Sequence, residues 1–179
     1  QNPQDIVKAL SFGSDAKDKV FTGIDKLTQA VSSTLGASGK CVILEDFMGR
    51  PMITKDGVTV ANSVNLRDPV ENIGATLIKE AARKTVSEAG DGTTTATVLA
   101  HSLLKEANNK QTSESLRKIK EDIQKACDNT IKYLEKVVVP VEGDMIDQVA
   151  TISSNNDKEL GSIIGKAFKK VGKNGTVMM

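Results

Sequence analysis

Aromatic residues are scarce in this sequence, which has four Phe, one Tyr and no Trp among 179 residues. A protein that binds single-stranded nucleic acid by base stacking needs exposed aromatic rings, so the composition argues against that class. The net charge of +1 gives no strong field for nucleic acid or a membrane surface. With 39% hydrophobic residues the chain can bury a core, and that core must be aliphatic.

Cysteine and histidine are also scarce, with two Cys and one His. This argues against a zinc site, and Cys41 and Cys127 are predicted to be small buried residues in a reducing compartment. The sequence contains no run of about 18 apolar residues, so no transmembrane helix is predicted. The polar residues 1–5 contain no signal-peptide core, which predicts a cytoplasmic protein, although a cleaved transit peptide to an organelle matrix would leave no trace.

Hydrophobic residues recur at helical spacing in most of the chain, which predicts a mainly α protein with small β elements. Asp68 and Pro69 form a strong helix start, because the acid can cap the helix and proline suits its first position. The apolar content of the helix that begins at Thr93 predicts that it is central. The predicted helices are residues 15–35, 69–89, 93–108, 113–136 and one from about 157 to 171.

Short β-type runs separate the first two helices. They comprise residues 41–44, 52–54 and 58–60, and the last two are predicted to form a hairpin with Asp56 and Gly57 at its bend. Near the end of the chain, residues 149–152 are predicted to be a short link and residues 176–179 a strand.

The most informative segment is residues 88–98, which reads Glu-Ala-Gly-Asp-Gly-Thr-Thr-Thr-Ala-Thr-Val. Gly90 and Gly92 allow a tight turn and a close approach to a ligand. The amides and the positive dipole end of the next helix favour phosphate, and Asp91 can hold Mg²⁺. Three threonine hydroxyls, at positions 93, 94 and 95, add further donors. A glycine C-cap followed by a threonine N-cap is the alternative interpretation of the same residues.

Two earlier loops carry related but weaker signals. Residues 34–40 read Thr-Leu-Gly-Ala-Ser-Gly-Lys, and the spacing of their glycines departs from that of the P-loop. This loop could still bring free amides to a ligand, and the alternative interpretation is a plain glycine-rich turn between a helix and a strand. Asp56 lies at a tight bend, where a carboxylate can orient water, although aspartate is also a favoured turn residue. His101 is predicted to be a packed or surface residue and not a ligand.

The order of these three loops resembles that of the chaperonins, and most closely the 60-kDa group I family. Further segments of the resemblance are Phe12-Gly-Ser-Asp-Ala16, Thr151-Ile-Ser-Ser-Asn155 and Lys170-Val-Gly-Lys-Asn-Gly175. It implies a helical equatorial domain in residues 1–136 and the ascending part of an intermediate domain in residues 137–179. The family's apical domain would be absent from this chain.

The resemblance also implies roles for individual residues. Asp56 would be the catalytic carboxylate, Asp91 the Mg²⁺ ligand, and Lys55 a contact to nucleotide and K⁺ through its backbone oxygen. A second water-positioning aspartate of the family would lie beyond Met179, so these residues alone are expected to show no ATP turnover. The implied nucleotide-binding residues are Thr34, Leu35, Gly36, Ala37, Lys55, Gly90, Asp91, Gly92, Thr93, Thr94 and Thr95.

The function that the resemblance implies is an ATP-dependent folding chaperone, an ATPase that works as a ring of like subunits, seven per ring. Its partners would be unfolded proteins and a co-chaperonin. The alternative is a chaperonin-derived structural subunit that assembles without hydrolysing ATP. Two departures, Gly36-Ala-Ser-Gly-Lys40 in place of the family's Gly-Pro-Lys-Gly-Arg and a short polar segment at residues 106–115, fit a divergent or virus-encoded member.

Overall fold

The computed structural model describes residues 9–36, 38–46, 48–111, 113–172 and 175–178. Helices dominate this part of the chain and two short strands accompany them, which confirms the predicted mainly α fold with small β elements. None of its helices is long and apolar enough to cross a membrane. In chain order the elements are α1 (Gly13–Ser32), β1 (Val42–Glu45), β2 (Pro51–Thr54), α2 (Gly57–Ser63), α3 (Pro69–Ala89), α4 (Thr93–Lys110), α5 (Leu116–Val137), α6 (Met145–Ser153) and α7 (Lys158–Val171).

The predicted start of α3 is confirmed. The Asp68 carboxylate accepts hydrogen bonds from the amides of Val70 and Glu71 at 2.8 and 3.2 Å, and Pro69 is the first helical residue. The Glu71 side chain in the first turn of α3 accepts a hydrogen bond from Lys26 of α1 at 2.6 Å. The cap therefore fixes where α3 begins, while the glutamate ties α3 to α1.

The aliphatic core lies where α1, α2 and α3 pack together. Two glycines allow α1 and α3 to touch through their backbones: a Cβ on Gly23 would overlap the carbonyl oxygen of Glu71, and one on Gly74 that of Val20. This close contact buries the aliphatic side chains around it without any large aromatic residue. The buried core residues are Ile24, Leu27, Val31, Val60, Ala61, Ala75 and Ile78.

The predicted strand at residues 58–60 is wrong, because these residues lie in α2. The observed hairpin is formed by β1 and β2, which pair antiparallel with Val42 opposite Thr54 and Glu45 opposite Pro51. The Asp56 carboxylate caps the first turn of α2, and this cap outweighs the β propensity of the Val-Thr-Val sequence.

Several smaller predictions also differ from the structure. Cys41 is exposed and Cys127 only half-buried, so neither is the buried residue that was expected. Residues 149–152 belong to α6 and are no link, and residues 175–178 form no strand. The apolar side of α4 is open in the described chain, where Leu99 and Leu103 are 58% and 43% exposed, and that helix is not central there.

The chain divides into two compact units, residues 1–123 and residues 124–179, with the division inside α5. In the second unit, α6 packs on α7 around two close contacts, where a Cβ on Gly161 would overlap Thr151 and one on Gly165 would overlap Asp147. The assignment of residues 1–136 and 137–179 to an equatorial and an intermediate domain stays a prediction.

Candidate functional site

A cavity of about 220 Å³ lies where the bend after β2 meets the start of α4. It brings together the second and third loops singled out in the sequence. Both carboxylates of interest, those of Asp56 and Asp91, belong to residues that line it. The lining residues are Lys55, Asp56, Gly57, Asp91, Gly92, Thr93, Thr94 and Thr95.

The turn between α3 and α4 is built on two left-handed glycines. Gly90 has φ 74° and ends α3, and Gly92 has φ 87° and is the N-cap of α4. A residue with a Cβ would be strained at either position. The predicted C-cap at Gly90 is confirmed, whereas the N-cap of α4 is a glycine and not a threonine. Gly90 shapes the turn without lining the cavity.

The first turn of α4 presents backbone donors to the cavity. The first helical hydrogen bond runs from the Ala96 amide to the Gly92 carbonyl at 2.9 Å. The amides of residues 93–95 therefore have no acceptor within the helix, as at any helix start. The Gly92 amide donates to Asp91 Oδ1 at 2.6 Å, which orients that carboxylate beside the same turn. Such a turn, with the positive end of the dipole, is suited to an anion.

The three threonines of this turn have different environments. Thr93 is buried, and its carbonyl accepts a hydrogen bond from the Thr97 hydroxyl at 2.9 Å. The Thr94 hydroxyl lies 3.4 Å from that of Thr34, in the first loop. Thr95 is exposed. Thr94 thus connects the first loop to the third, and Thr97 stabilises the turn through its hydrogen bond to the Thr93 carbonyl.

The first loop reaches this region through Thr34 alone among its described residues. The Thr34 hydroxyl also donates to the Val31 carbonyl at 2.8 Å. Leu35 and Gly36 are exposed and do not line the cavity, and Gly36 has φ 73°. Ala37, the fourth predicted residue of this loop, lies outside the described residues.

The Asp56 carboxylate is held in place by the start of α2. Its Oδ1 accepts from the Val58 amide at 3.3 Å, and its Oδ2 accepts from the Thr59 amide at 2.8 Å and the Thr59 hydroxyl at 2.5 Å. Partial burial alone would raise the pKa of Asp56, but these hydrogen bonds outweigh burial and hold that pKa below its ordinary value. Asp56 is therefore an ionised, oriented carboxylate at the edge of the cavity.

The lowered pKa of Asp56 predicts a pH-dependent contribution to stability. A carboxyl with a lower pKa in the folded state stabilises the fold above its unfolded pKa, and this is lost as pH falls through its folded pKa. We therefore expect the thermal midpoints of the wild type and the Asp56→Ala variant to differ at neutral pH and to converge below the ordinary value of 3.8. A constant difference down to about pH 3 would contradict this assignment.

Gly57 lets the starts of α2 and α4 approach each other. It is buried, and a Cβ at this position would overlap the Thr94 hydroxyl oxygen. We expect Gly57→Ala to lower the free energy of unfolding by about 1–2 kcal/mol through overpacking. The double variant Gly57→Ala/Thr94→Ala should regain most of that loss, because the second change removes the obstructing oxygen. Equal destabilisation in both, measured by thermal unfolding, would contradict the contact.

The residues around the cavity fit a magnesium ion that is shared with a phosphate ligand. Mg²⁺ prefers oxygen ligands and is commonly bound by one or two carboxylates with phosphates and water. Asp56 and Asp91 are the carboxylates available, and no cluster of three acidic, His or Cys residues occurs among the described residues. Asp91 Oδ2 has no hydrogen-bond partner within the described chain, so it is the better candidate for a ligand.

Sequence reasoning missed three residues of this site. Gly57 and Thr59 were placed in a hairpin and not at a helix start, and the role of Thr97 beneath Thr93 was not considered. An aspartate followed by residues at helical spacing, Val60 and Val64, was the available signal for an N-cap. His101 lies between α4 and α1, where its Nε2 is 2.5 Å from Asp25 Oδ1, and that it is not a ligand stays a prediction.

Comparisons with known proteins identify the family. The TCP-1/cpn60 chaperonin family model matches residues 27–178. Chaperonin GroEL 1 of Rhodopirellula baltica is 44% identical over 176 residues, which are 96% of this chain and 31% of that protein. The chain thus spans about a third of the length of this relative.

Solved structures agree with this result. The chaperonin gp146 from the bacteriophage EL 2 (Pseudomonas aeruginosa), crystallised in the presence of ATP-BeFx, matches with a TM-score of 0.79 and 29% identity. That match covers 93% of this chain and 30% of the other. A group III chaperonin in the open state matches with a TM-score of 0.71 and 26% identity, covering 87% and 31%. The chain belongs to the TCP-1/cpn60 chaperonin family and has the fold of a chaperonin equatorial domain.

Proposed function

We propose that this chain is the ATP-binding part of a chaperonin subunit that hydrolyses ATP to drive protein folding. The observation that carries the proposal is the single cavity lined by Asp56, Asp91 and the first turn of α4. Free helix-start amides, hydroxyls and two carboxylates are the groups that a Mg²⁺-bound polyphosphate requires. The match to a chaperonin crystallised with ATP-BeFx supports a nucleotide as the ligand.

In this proposal each part of the cavity has a separate task. The amides of Thr93, Thr94 and Thr95 donate to phosphate oxygens. Asp91 and the phosphates hold Mg²⁺, which neutralises charge on the phosphates when bound. Asp56 orients the attacking water, since its carboxylate is ionised and fixed at the cavity edge. Catalysis then rests on positioning and charge stabilisation, as is general for phosphoryl transfer.

The remaining residues have supporting tasks. Lys55 would contact nucleotide and K⁺ through its backbone oxygen, and Thr34 would connect the first loop, including Leu35, Gly36 and Ala37, to the phosphate turn. The left-handed Gly90 and Gly92 keep the turn open to the ligand. The partners of the whole protein would be identical subunits in a ring, unfolded polypeptides and a co-chaperonin, and we propose the cytoplasm as its location.

The test is ATP turnover by the full-length subunit and by its Asp56→Ala and Asp91→Ala variants. We expect both variants to hydrolyse ATP much more slowly, and Asp91→Ala also to bind ATP more weakly when Mg²⁺ is present. A Glu88→Ala variant, at an exposed position on the last turn of α3, serves as the control. Unchanged turnover in both aspartate variants would refute the site assignment.

A second candidate function is a chaperonin-derived subunit that assembles without hydrolysing ATP. The observation that favours it is the Asp56 carboxylate, whose oxygens both accept hydrogen bonds from Val58 and Thr59. These bonds alone would justify an aspartate as a helix cap. Refolding of a denatured substrate protein by the full-length subunit, with and without ATP, distinguishes the two functions, because only the ATPase requires hydrolysable nucleotide.

A further inference from the structure

Lys79 is a buried charged residue without a counter-ion. It lies in the middle of α3, is 6% exposed, and is the single charged residue among the buried side chains of the described chain. No carboxylate within the described residues forms an ion pair with it. A buried ammonium without a partner carboxylate is costly, so this residue calls for a specific explanation.

The Lys79 ammonium has one hydrogen-bond acceptor, the carbonyl oxygen of Val64. Val64 is the C-cap of α2, directly after Ser63. At the same end, the Ser63 hydroxyl donates to the Val60 carbonyl at 2.8 Å, and Arg83 of α3 donates to the Asn62 side-chain oxygen at 3.3 Å. Lys79 therefore satisfies a carbonyl at the end of α2 and places a positive charge at the negative end of that helix.

The helix that Lys79 reaches is too short to hold its own position. With seven residues, α2 lies far below the length at which isolated helices form. The negative Asp56 carboxylate caps its N-terminus and the positive Lys79 ammonium caps its C-terminus. Both charges are therefore favourable for the dipole of the helix. The buried Val60 and Ala61 pack it on its neighbours. Asp56 and Val64 are the N-cap and the C-cap of this same seven-residue helix.

We propose that Lys79 is a positioning residue, which fixes the end of α2 and thereby holds Asp56 at the edge of the cavity. The inference rests on the proposed function, because it assumes that Asp56 acts in ATP hydrolysis. A methionine of similar volume would fill the same space but leave the Val64 carbonyl unsatisfied. Burial, and then the charge of Arg83, lowers the pKa of Lys79, which agrees with an ammonium taken out of water.

The experiment compares ATP turnover by full-length subunits that carry Lys79→Met, alone and combined with Asp56→Ala. We expect Lys79→Met to lower kcat about tenfold and to leave KM within about twofold, because a displaced carboxylate impairs the chemical step and not nucleotide binding. In the Asp56→Ala background the same change should have almost no effect, since the residue through which Lys79 acts is gone.

The matched control is Lys84→Met, which removes a lysine from the same helix at a position 76% exposed. Its kcat and KM should equal those of the wild type. Hydrogen exchange of the Val58 and Thr59 amides gives a second readout, and Lys79→Met should accelerate it. If Lys79→Met subunits do not assemble, Lys79→Gln tests the same hydrogen bond with the opposite expectation. It keeps a donor for the Val64 carbonyl, so its kcat should stay within about twofold of the wild type, and a tenfold loss would overturn the role of Lys79 as that donor.

The outcomes separate the inference from the proposed function. The role of Lys79 would be overturned by a wild-type kcat for Lys79→Met, or by a tenfold loss of kcat that persists in the Asp56→Ala background. Neither result would affect the proposed role of Asp56 in hydrolysis. A wild-type kcat for Asp56→Ala would overturn the proposed function and, with it, the inference.

Discussion

Replacing Asp56 by alanine is expected to lower the turnover of saturating ATP by about 10²-fold or more in the full-length subunit. The carboxylate is ionised, oriented by three hydrogen bonds and located at the edge of the cavity. These are the properties of a group that positions water for attack on a phosphate. The dissociation constant for ATP should change only a few-fold, because phosphate contacts lie in the first turn of α4. Steady-state hydrolysis and calorimetric titration measure the two effects separately.

Alanine at position 56 also removes the cap of α2, so a second variant is needed to separate chemistry from structure. Asn is a helix cap about as good as Asp, but its amide carries no charge and accepts protons poorly. Because Asn keeps one of the two acceptor oxygens and loses the charge, we expect Asp56→Asn to have a thermal midpoint between those of the wild type and Asp56→Ala, and to lose turnover as severely as Asp56→Ala. Full turnover in Asp56→Asn would show that the residue acts as a cap, which favours the structural alternative.

Replacing Gly23 by alanine is expected to cause the largest loss of stability. The new methyl group would overlap the carbonyl oxygen of Glu71, which is part of the α3 backbone and cannot rotate away. Alanine favours helix over glycine by about 1 kcal/mol, but separating two packed helices costs about 3 kcal/mol. The net result should be a destabilisation of about 2 kcal/mol, and the loss should extend across the contact between α1 and α3.

Segment-resolved hydrogen exchange of the full-length subunit measures this effect, because it reports the local free energy of opening in each helix. Both α1 and α3 should lose protection in Gly23→Ala. The neighbouring Thr22→Ala is the control: Thr22 is exposed, and such a change should stay within about 0.5 kcal/mol. Unchanged protection of α3 in Gly23→Ala would contradict the backbone contact.

Local capping chemistry made parts of this fold predictable from the sequence. Asp68 and Pro69 define the start of α3, and Gly90 its end, because a cap, a fixed φ and a left-handed φ are properties of single residues. The two earlier loops and the threonine turn were likewise recognised from the sequence without any tertiary contact. The order of the three loops pointed to the chaperonins, and the comparisons confirm the family.

The segment at residues 57–63 shows where such reasoning fails. Val58, Thr59 and Val60 favour a strand by propensity, and Asp56-Gly57 is a common hairpin bend. The chain forms a helix there because the Asp56 carboxylate caps it and because Val60 is buried in the shared core. Propensity is a weak preference of less than about 1 kcal/mol, so burial of one aliphatic face decides between the two structures.

The sequence by itself determined the helical class of this protein, the glycine turn at residues 90–92 and the residue types suited to a Mg²⁺-bound phosphate, since these follow from backbone conformation and side-chain chemistry. The tertiary structure decided which of those residues meet. It joins Asp56 to Asp91 at one cavity, brings Thr34 to Thr94, and places Lys79 under the end of α2. Contacts between residues distant in sequence depend on how closely helices pack, and here that distance is set by the glycine contact between α1 and α3.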